Sequence, residues 1–132
     1  MIAARGIGAY RQVEVQSRSP LELVVMLYDG AMSSLTEAAA AAARGDRRKR
    51  AAAVSRALSI LCSLQESLNL KEGGSVAAEL DRLYGYATAR LLDVTTKEDV
   101  AALHEVHKLL AGVRDAWHQI ATQPAGAAAA RQ

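Results

Sequence analysis

Apolar positions recur along the chain at helical spacing in four runs, and no stretch competes with the alternation of a half-buried strand. The first run predicts a helix over residues 20–44, about 37 Å long at 1.5 Å per residue. Ser19 suits its N-cap, Pro20 its first helical position, and Glu22 closes an S-x-x-E capping box. At roughly 100° per residue, Leu21, Val24, Val25, Tyr28, Ala31, Met32 and Leu35 fall on one stripe ~120° wide, an ordinary core face. Leu23, Met26 and Leu27 fall on the other side, and only Glu22, Asp29 and Ser33 make a clear polar line. A helix apolar on two sides is either central or offers its second face to a partner.

Gly45 ends this helix and Asp46 caps a second, in which Val54, Ala57, Leu58, Ile60, Leu61, Leu64 and Leu68 share a face. Residues 69–74 form a turn around Gly73-Gly74, where backbone takes positive φ or comes close to another chain. A third helix is expected over 75–93, with Val76, Leu80, Leu83, Ala87 and Leu91 inward and Tyr84 at the edge of the stripe. Thr96-Lys97-Glu98-Asp99 reads as the cap of a fourth helix, which carries Leu103, Val106, Leu109, Leu110, Val113, Trp117 and Ile120 on one side until Gln123-Pro124 stops it. Short connections between long helices force antiparallel neighbours. The expected fold is therefore all-α, an up-down-up-down four-helix bundle over 19–123. Residues 1–18 lack sustained periodicity and form a partly extended N-terminal segment. Its Ile7, Tyr10 and Val13 make it too apolar for a solvated tail, so it is expected to lie on an apolar groove. The Ala-Gly-rich residues 124–132 read as a disordered tail.

Composition narrows the picture. A chain of 132 residues suits one domain with one core. Apolar residues make up 51%, but alanine supplies much of that, and the aromatics are four Tyr and one Trp with no Phe. The core is then thin and aliphatic, with Leu and Val packed on Ala. A net charge of +2 gives no strong pull toward nucleic acid or an anionic membrane. The one cysteine, Cys62, leaves no internal disulfide, fits a reducing cytoplasm, and falls beside the apolar stripe, where a partly buried side chain is expected. No signal-peptide pattern opens the chain, and no apolar run approaches the ~20 residues of a membrane span. The expectation is a soluble protein of the cytoplasm.

Catalytic and metal chemistry find little support. His104 and His107 are three apart, but His118 lies about 16 Å further along the same helix, so the three cannot share an ion. The carboxylates are scattered, and Gly73-Gly74 lacks the Lys-Ser/Thr of a phosphate-binding loop. Neither an enzyme nor a cofactor is indicated. The densest charge is Arg44-Gly45-Asp46-Arg47-Arg48-Lys49-Arg50. It opens an alternative reading, a small basic-patch bundle binding nucleic acid, although no aromatic residues interleave to stack bases.

Ser19-Pro20-x-Glu22-Leu23-x-x-Met26-Leu27-Tyr28-Asp29-Gly30-Ala31, then Ser67-Leu68-Asn69 before Gly73-Gly74, then Leu83-Tyr84-x-Tyr86, then Arg114-x-x-Trp117, together resemble the flagellar secretion chaperone family, FliS. The resemblance runs in register from about Tyr10 to Trp117. It departs at Asn69, where the family usually has Asp, and at Gly85, where it usually has a polar helix former. The resemblance implies a cytoplasmic four-helix bundle that binds the C-terminal segment of flagellin, prevents its premature polymerisation and passes it to the flagellar export apparatus. It also implies an N-terminal segment covering part of the site when flagellin is absent. On that basis Ile7, Tyr10 and Val13 are the lid, and Leu23, Met26 and Leu27 the second face of the first helix. Asn69, Leu70, Gly73 and Gly74 shape the turn against which the client bends, and Tyr86 and Leu92 extend the apolar footprint. No nucleic acid, membrane or cofactor is needed, and self-association into a homodimer stays open.

Overall fold

The computed structural model describes residues 19–69 and 73–122. Among them are four helices and no strand: α1 (Pro20–Ala43), α2 (Arg47–Glu66), α3 (Gly74–Lys97) and α4 (Ala101–Thr122). The lid residues Ile7, Tyr10 and Val13, the turn residue Leu70 and the tail lie outside the described residues.

Local chemistry starts and stops the helices where the sequence places those signals. The Ser19 hydroxyl accepts the Glu22 amide at 3.2 Å, and Pro20 follows at the first helical position. Asp46 does the same for Lys49 at 3.1 Å, and between the two helices Gly45 takes φ 73°. The start of α4 departs from expectation. α3 runs one turn past residue 93 and ends on Glu98 in the left-handed region at φ 53°. Thr96 belongs to that last turn, its hydroxyl bonded back to the Leu92 carbonyl at 3.0 Å, rather than capping α4. Asp99 is instead drawn to Arg90, whose guanidinium donates to Asp93 at 2.9 Å, to Asp99 at 3.0 Å and to Glu105 at 2.6 Å. This cation ties the end of α3 to the start of α4.

α1 packs against α2 and α4, and α3 against the same two, so α1 and α3 face one another across the diagonal. The core is as aliphatic as the composition requires. Leu35, Leu61, Leu91, Leu103, Val106 and Leu110 interleave with Ala38, Ala57, Ala87 and Ala102, all essentially removed from solvent. Small residues let the helices come close: a Cβ on Gly30 would lie 3.3 Å from Ile60 Cδ1. The stripe expected for α3 holds at Ala87 and Leu91, with Leu80 and Leu83 packed against the core, but it begins at Ala77 rather than Val76. Ala77, Tyr84, Ala87, Leu91 and Val94 are buried, whereas Val76 is 63% exposed. Cys62 is also exposed rather than partly buried, and its thiol contacts Glu66 Oε1 at 3.5 Å. That carboxylate pushes the thiol pKa up.

Across the diagonal, the Tyr28 and Tyr84 hydroxyls meet at 2.6 Å in the buried core, with ring centroids 6.3 Å apart and tilted by 49°. Burial raises both phenol pKa values, so the pair stays neutral. Tyr28→Phe should cost about 1–3 kcal/mol in denaturant unfolding, because it strands the Tyr84 hydroxyl without a partner. Adding Tyr84→Phe should then cost less than the sum of the single changes; strict additivity would show that the hydroxyls do not act as a pair.

Glu105 accepts from Tyr86 as well as from Arg90, and these bonds hold its carboxyl below the usual range. A carboxyl lowered in the folded state stabilises fully above the unfolded pKa, and that stabilisation fades as pH falls through the folded value. Glu105→Gln should therefore flatten the acid side of the stability profile, measured by thermal unfolding between neutral and strongly acidic pH. An unchanged acid limb would mean that the Glu105 carboxyl titrates alike in the folded and unfolded chain, so that these bonds do not favour its charged form.

Candidate functional site

The ends of all four helices converge on an open apolar groove of about 270 Å³. α1 contributes Val24, near its capped start. The C-terminal turn of α2 contributes Leu64 and, just past the helix end, Ser67 and Leu68. The glycine turn supplies Asn69 and Gly73, and the first turns of α3 supply Val76, Ala77 and Leu80. Tyr84 of α3 and Trp117 of α4 complete the lining.

The glycine turn is built for close contact. A Cβ on Gly73 would lie 2.6 Å from Ala77 Cβ and 2.7 Å from the Asn69 carbonyl, so no larger residue fits. The Gly73 amide donates to that same carbonyl at 2.7 Å, and Gly74 takes φ 58° to turn the chain into α3. This tight passage leaves Val76 standing at the groove with nearly two thirds of its surface in solvent.

Beneath the groove the tyrosine pair supports the Tyr84 ring. The Trp117 indole N–H is buried without a hydrogen bond of regular geometry among the described residues, and its effect on the Tyr28 hydroxyl is small beside that of burial. One turn before Trp117, Arg114 clamps Asp29 of α1, with Nε at 2.8 Å from Oδ1 and a terminal nitrogen at 3.4 Å from Oδ2. The Tyr28-Asp29-Gly30-Ala31 segment is thus explained atom by atom. Tyr28 bonds across the diagonal, Asp29 holds α4, Gly30 lets α2 approach, and Ala31 is fully buried.

Of the candidate residues named from sequence, Asn69 and Gly73 line the groove and Gly74 adjoins it. Leu23, Met26 and Leu27 are each only partly buried, and none is among the described lining residues. Leu27 packs against the core, while its neighbour Val24 reaches the groove. Tyr86 and Leu92, both 48% exposed, lie elsewhere on α3; the Tyr86 hydroxyl donates to Glu105 of α4 at 2.5 Å. Leu68, Val76, Leu80, Tyr84 and Trp117 enter the site from positions assigned to the core by sequence. The spacing 77, 84, 91 interleaved with 80, 87, 94 would have separated Val76 from that core.

The groove holds no convergent set of acids, bases or nucleophiles. Among the described residues no group of three or more His, Cys, Asp or Glu could hold a metal ion, and no helix is long and apolar enough to cross a membrane. What this surface offers is apolar area at a helix junction, the kind that receives the nonpolar side of another chain.

The chain matches known proteins over most of its length. The family model described as flagellar protein FliS matches residues 3–124. The flagellar secretion chaperone FliS of Salmonella typhimurium is 39% identical over 125 residues, covering 91% of this chain and 93% of that protein. The flagellar secretion chaperone FliSB of Pseudomonas aeruginosa is 32% identical over 124 residues, covering 91% and 98%. The flagellar secretion chaperone FliS of Bacillus subtilis is 32% identical over 111 residues, covering 84% and 82%. With a match of this extent running through the capped first helix, the glycine turn and the tryptophan helix alike, the chain belongs to the FliS family.

Proposed function

We propose that this chain is a cytoplasmic flagellar secretion chaperone, and that its client is the C-terminal segment of flagellin. The observation that carries this reading is the apolar groove at the helix junction, with Val76 presented at 63% exposure. The names of the curated relatives, flagellar secretion chaperones, supply the export role. A subunit that packs into a filament through amphipathic terminal segments carries unpartnered apolar surface before assembly. A bundle with spare apolar surface can cover those segments and block premature polymerisation. Coupled ordering of a flexible segment costs several kcal/mol, so a broad apolar footprint is required to offset it. The partly buried Leu23 and Met26 of α1, and the half-exposed Tyr86 and Leu92 of α3, would extend that footprint beyond the groove. Release then needs only competition from the export apparatus for the client.

In this reading residues 1–18 act as a lid, with Ile7, Tyr10 and Val13 resting on apolar surface that the client takes over. Support for the lid comes from the sequence alone: an apolar segment that precedes a capped helix opening onto the groove. The bundle and the lid are then separate functional parts of one domain.

Calorimetry with a flagellin C-terminal peptide tests the client. Binding should depend weakly on salt and carry a strongly negative heat capacity change. Val76→Asp should weaken it by about tenfold or more, since a charge would be desolvated in the complex. The same variant should keep its thermal midpoint within about two degrees, because Val76 is exposed in the free protein. Wild-type affinity in Val76→Asp would remove the groove from the binding site. For the lid, Tyr10→Ala should tighten peptide binding by relieving competition while leaving the midpoint nearly fixed; a large drop in midpoint would make Tyr10 a core residue instead.

A further inference from the structure

The opposite end of the bundle, where α1 passes into α2, concentrates the positive charge. Residues 44–50 hold five basic side chains and one acidic, a larger excess than the +2 of the whole chain. Asp46 is occupied as the cap of α2, and the first turn of that helix is basic with no acidic residue in it. Cations gathered at the positive end of a helix dipole work against stability. The fold alone gives no reason for them.

These charges border a groove of about 450 Å³ between α1 and α2. Ala40 and Ala52 form its low walls, Arg44 and Lys49 stand at one end, and Arg56 and Glu37 at the other. Each helix supplies residues seven apart, Glu37 and Arg44 on one and Lys49 and Arg56 on the other, so the two ends are about 10 Å apart along the axis. Arg56 is already paired with Glu37. The groove thus contains one carboxylate bound by its own arginine, and a second pair of cations, Arg44 and Lys49, for which no carboxylate is supplied within the groove.

We infer that this groove docks an extended acidic segment of a partner protein, one carboxylate replacing Glu37 on Arg56 and another held by Arg44 and Lys49. In an extended chain side chains on one face recur about every 7 Å, so two acidic residues two apart, each reaching outward along the groove, span its two ends. The alanine walls leave room for a peptide backbone. A nucleic-acid strand fits less well. Glu37 here and Glu98, paired with Arg47 at 2.8 Å nearby, place fixed negative charge beside the path of the phosphates, and the groove has no aromatic ring for a base. The surface lies at the other end of the bundle from the apolar groove and is independent of what that groove binds.

Fluorescence polarisation on the full chain tests this with three probes: a short labelled peptide of alternating glutamate and serine, the same peptide with glutamine for glutamate, and single-stranded oligothymidine. The acidic peptide should bind most tightly, and added salt should weaken it. Charge reversal in Arg44→Glu/Lys49→Glu should weaken it by about tenfold or more. Glu37→Gln should tighten it roughly threefold or more, because Arg56 no longer has an internal partner. All three positions are exposed, and an unchanged thermal midpoint confirms folding. Equal affinity in Glu37→Gln would show that Arg56 takes no part in binding and overturn the docking groove. So would oligothymidine binding as tightly as the acidic peptide, or a charge-reversed variant that binds like the wild type.

Discussion

A hydrogen bond between two buried hydroxyls fixes the geometry on which the apolar end of this bundle depends. Tyr28 and Tyr84 are 56 residues apart and belong to helices that face each other across the diagonal. Each reaches past the neighbouring helices to find the other. In a core made mostly of leucine, valine and alanine, leaving a buried hydroxyl unpaired costs more than the bond itself gains. The pair therefore acts as a strut of fixed length. It holds the Tyr84 ring in the groove lining, while the Arg114–Asp29 clamp holds α4, with Trp117, against α1. A surface suited to an apolar ligand is thus supported by polar bonds beneath it.

Much of the fold was legible because its signals are local. Ser19, Pro20 and Asp46 mark helix starts through chemistry that operates within three residues, and the apolar period reports the core face of each helix. Structure departs from local pattern where tertiary contacts outrank it. Thr96 and Asp99 look like a cap, but three carboxylates converging on Arg90 draw Asp99 into the α3–α4 junction and let α3 continue a further turn. Val76 looks like a core residue by type. The tight Gly73–Ala77 contact turns the start of α3 so that Ala77 faces inward instead.

The groove was less legible than the bundle. The glycine turn announced itself through Gly73-Gly74, whose backbone demands are visible in the sequence. Tyr84 and Trp117 did not, because a residue that supports a core and one that floors an open groove share the same helical stripe. Only the separation of the helix ends decides between these roles, and that is a property of all four chains of contacts together. Leu23 and Met26 retain partial exposure on a helix whose other face is fully used, so the surplus of apolar surface on α1 survives folding.

The alanines have a mechanical consequence. Interaxial distance between packed helices is set by the side chains at the contact. Toward the basic end the seams are filled by Ala38, Ala41, Ala53 and Ala102, which are buried to 1% exposure or less, whereas toward the groove they are propped by tyrosine, leucine and tryptophan. Methyl groups in contact have no rotamers to change and little room to slide. Larger side chains keep the helices further apart, so the same four helices that close tightly at the alanine end are held open at the other, where the tyrosine strut and Trp117 stand under the groove.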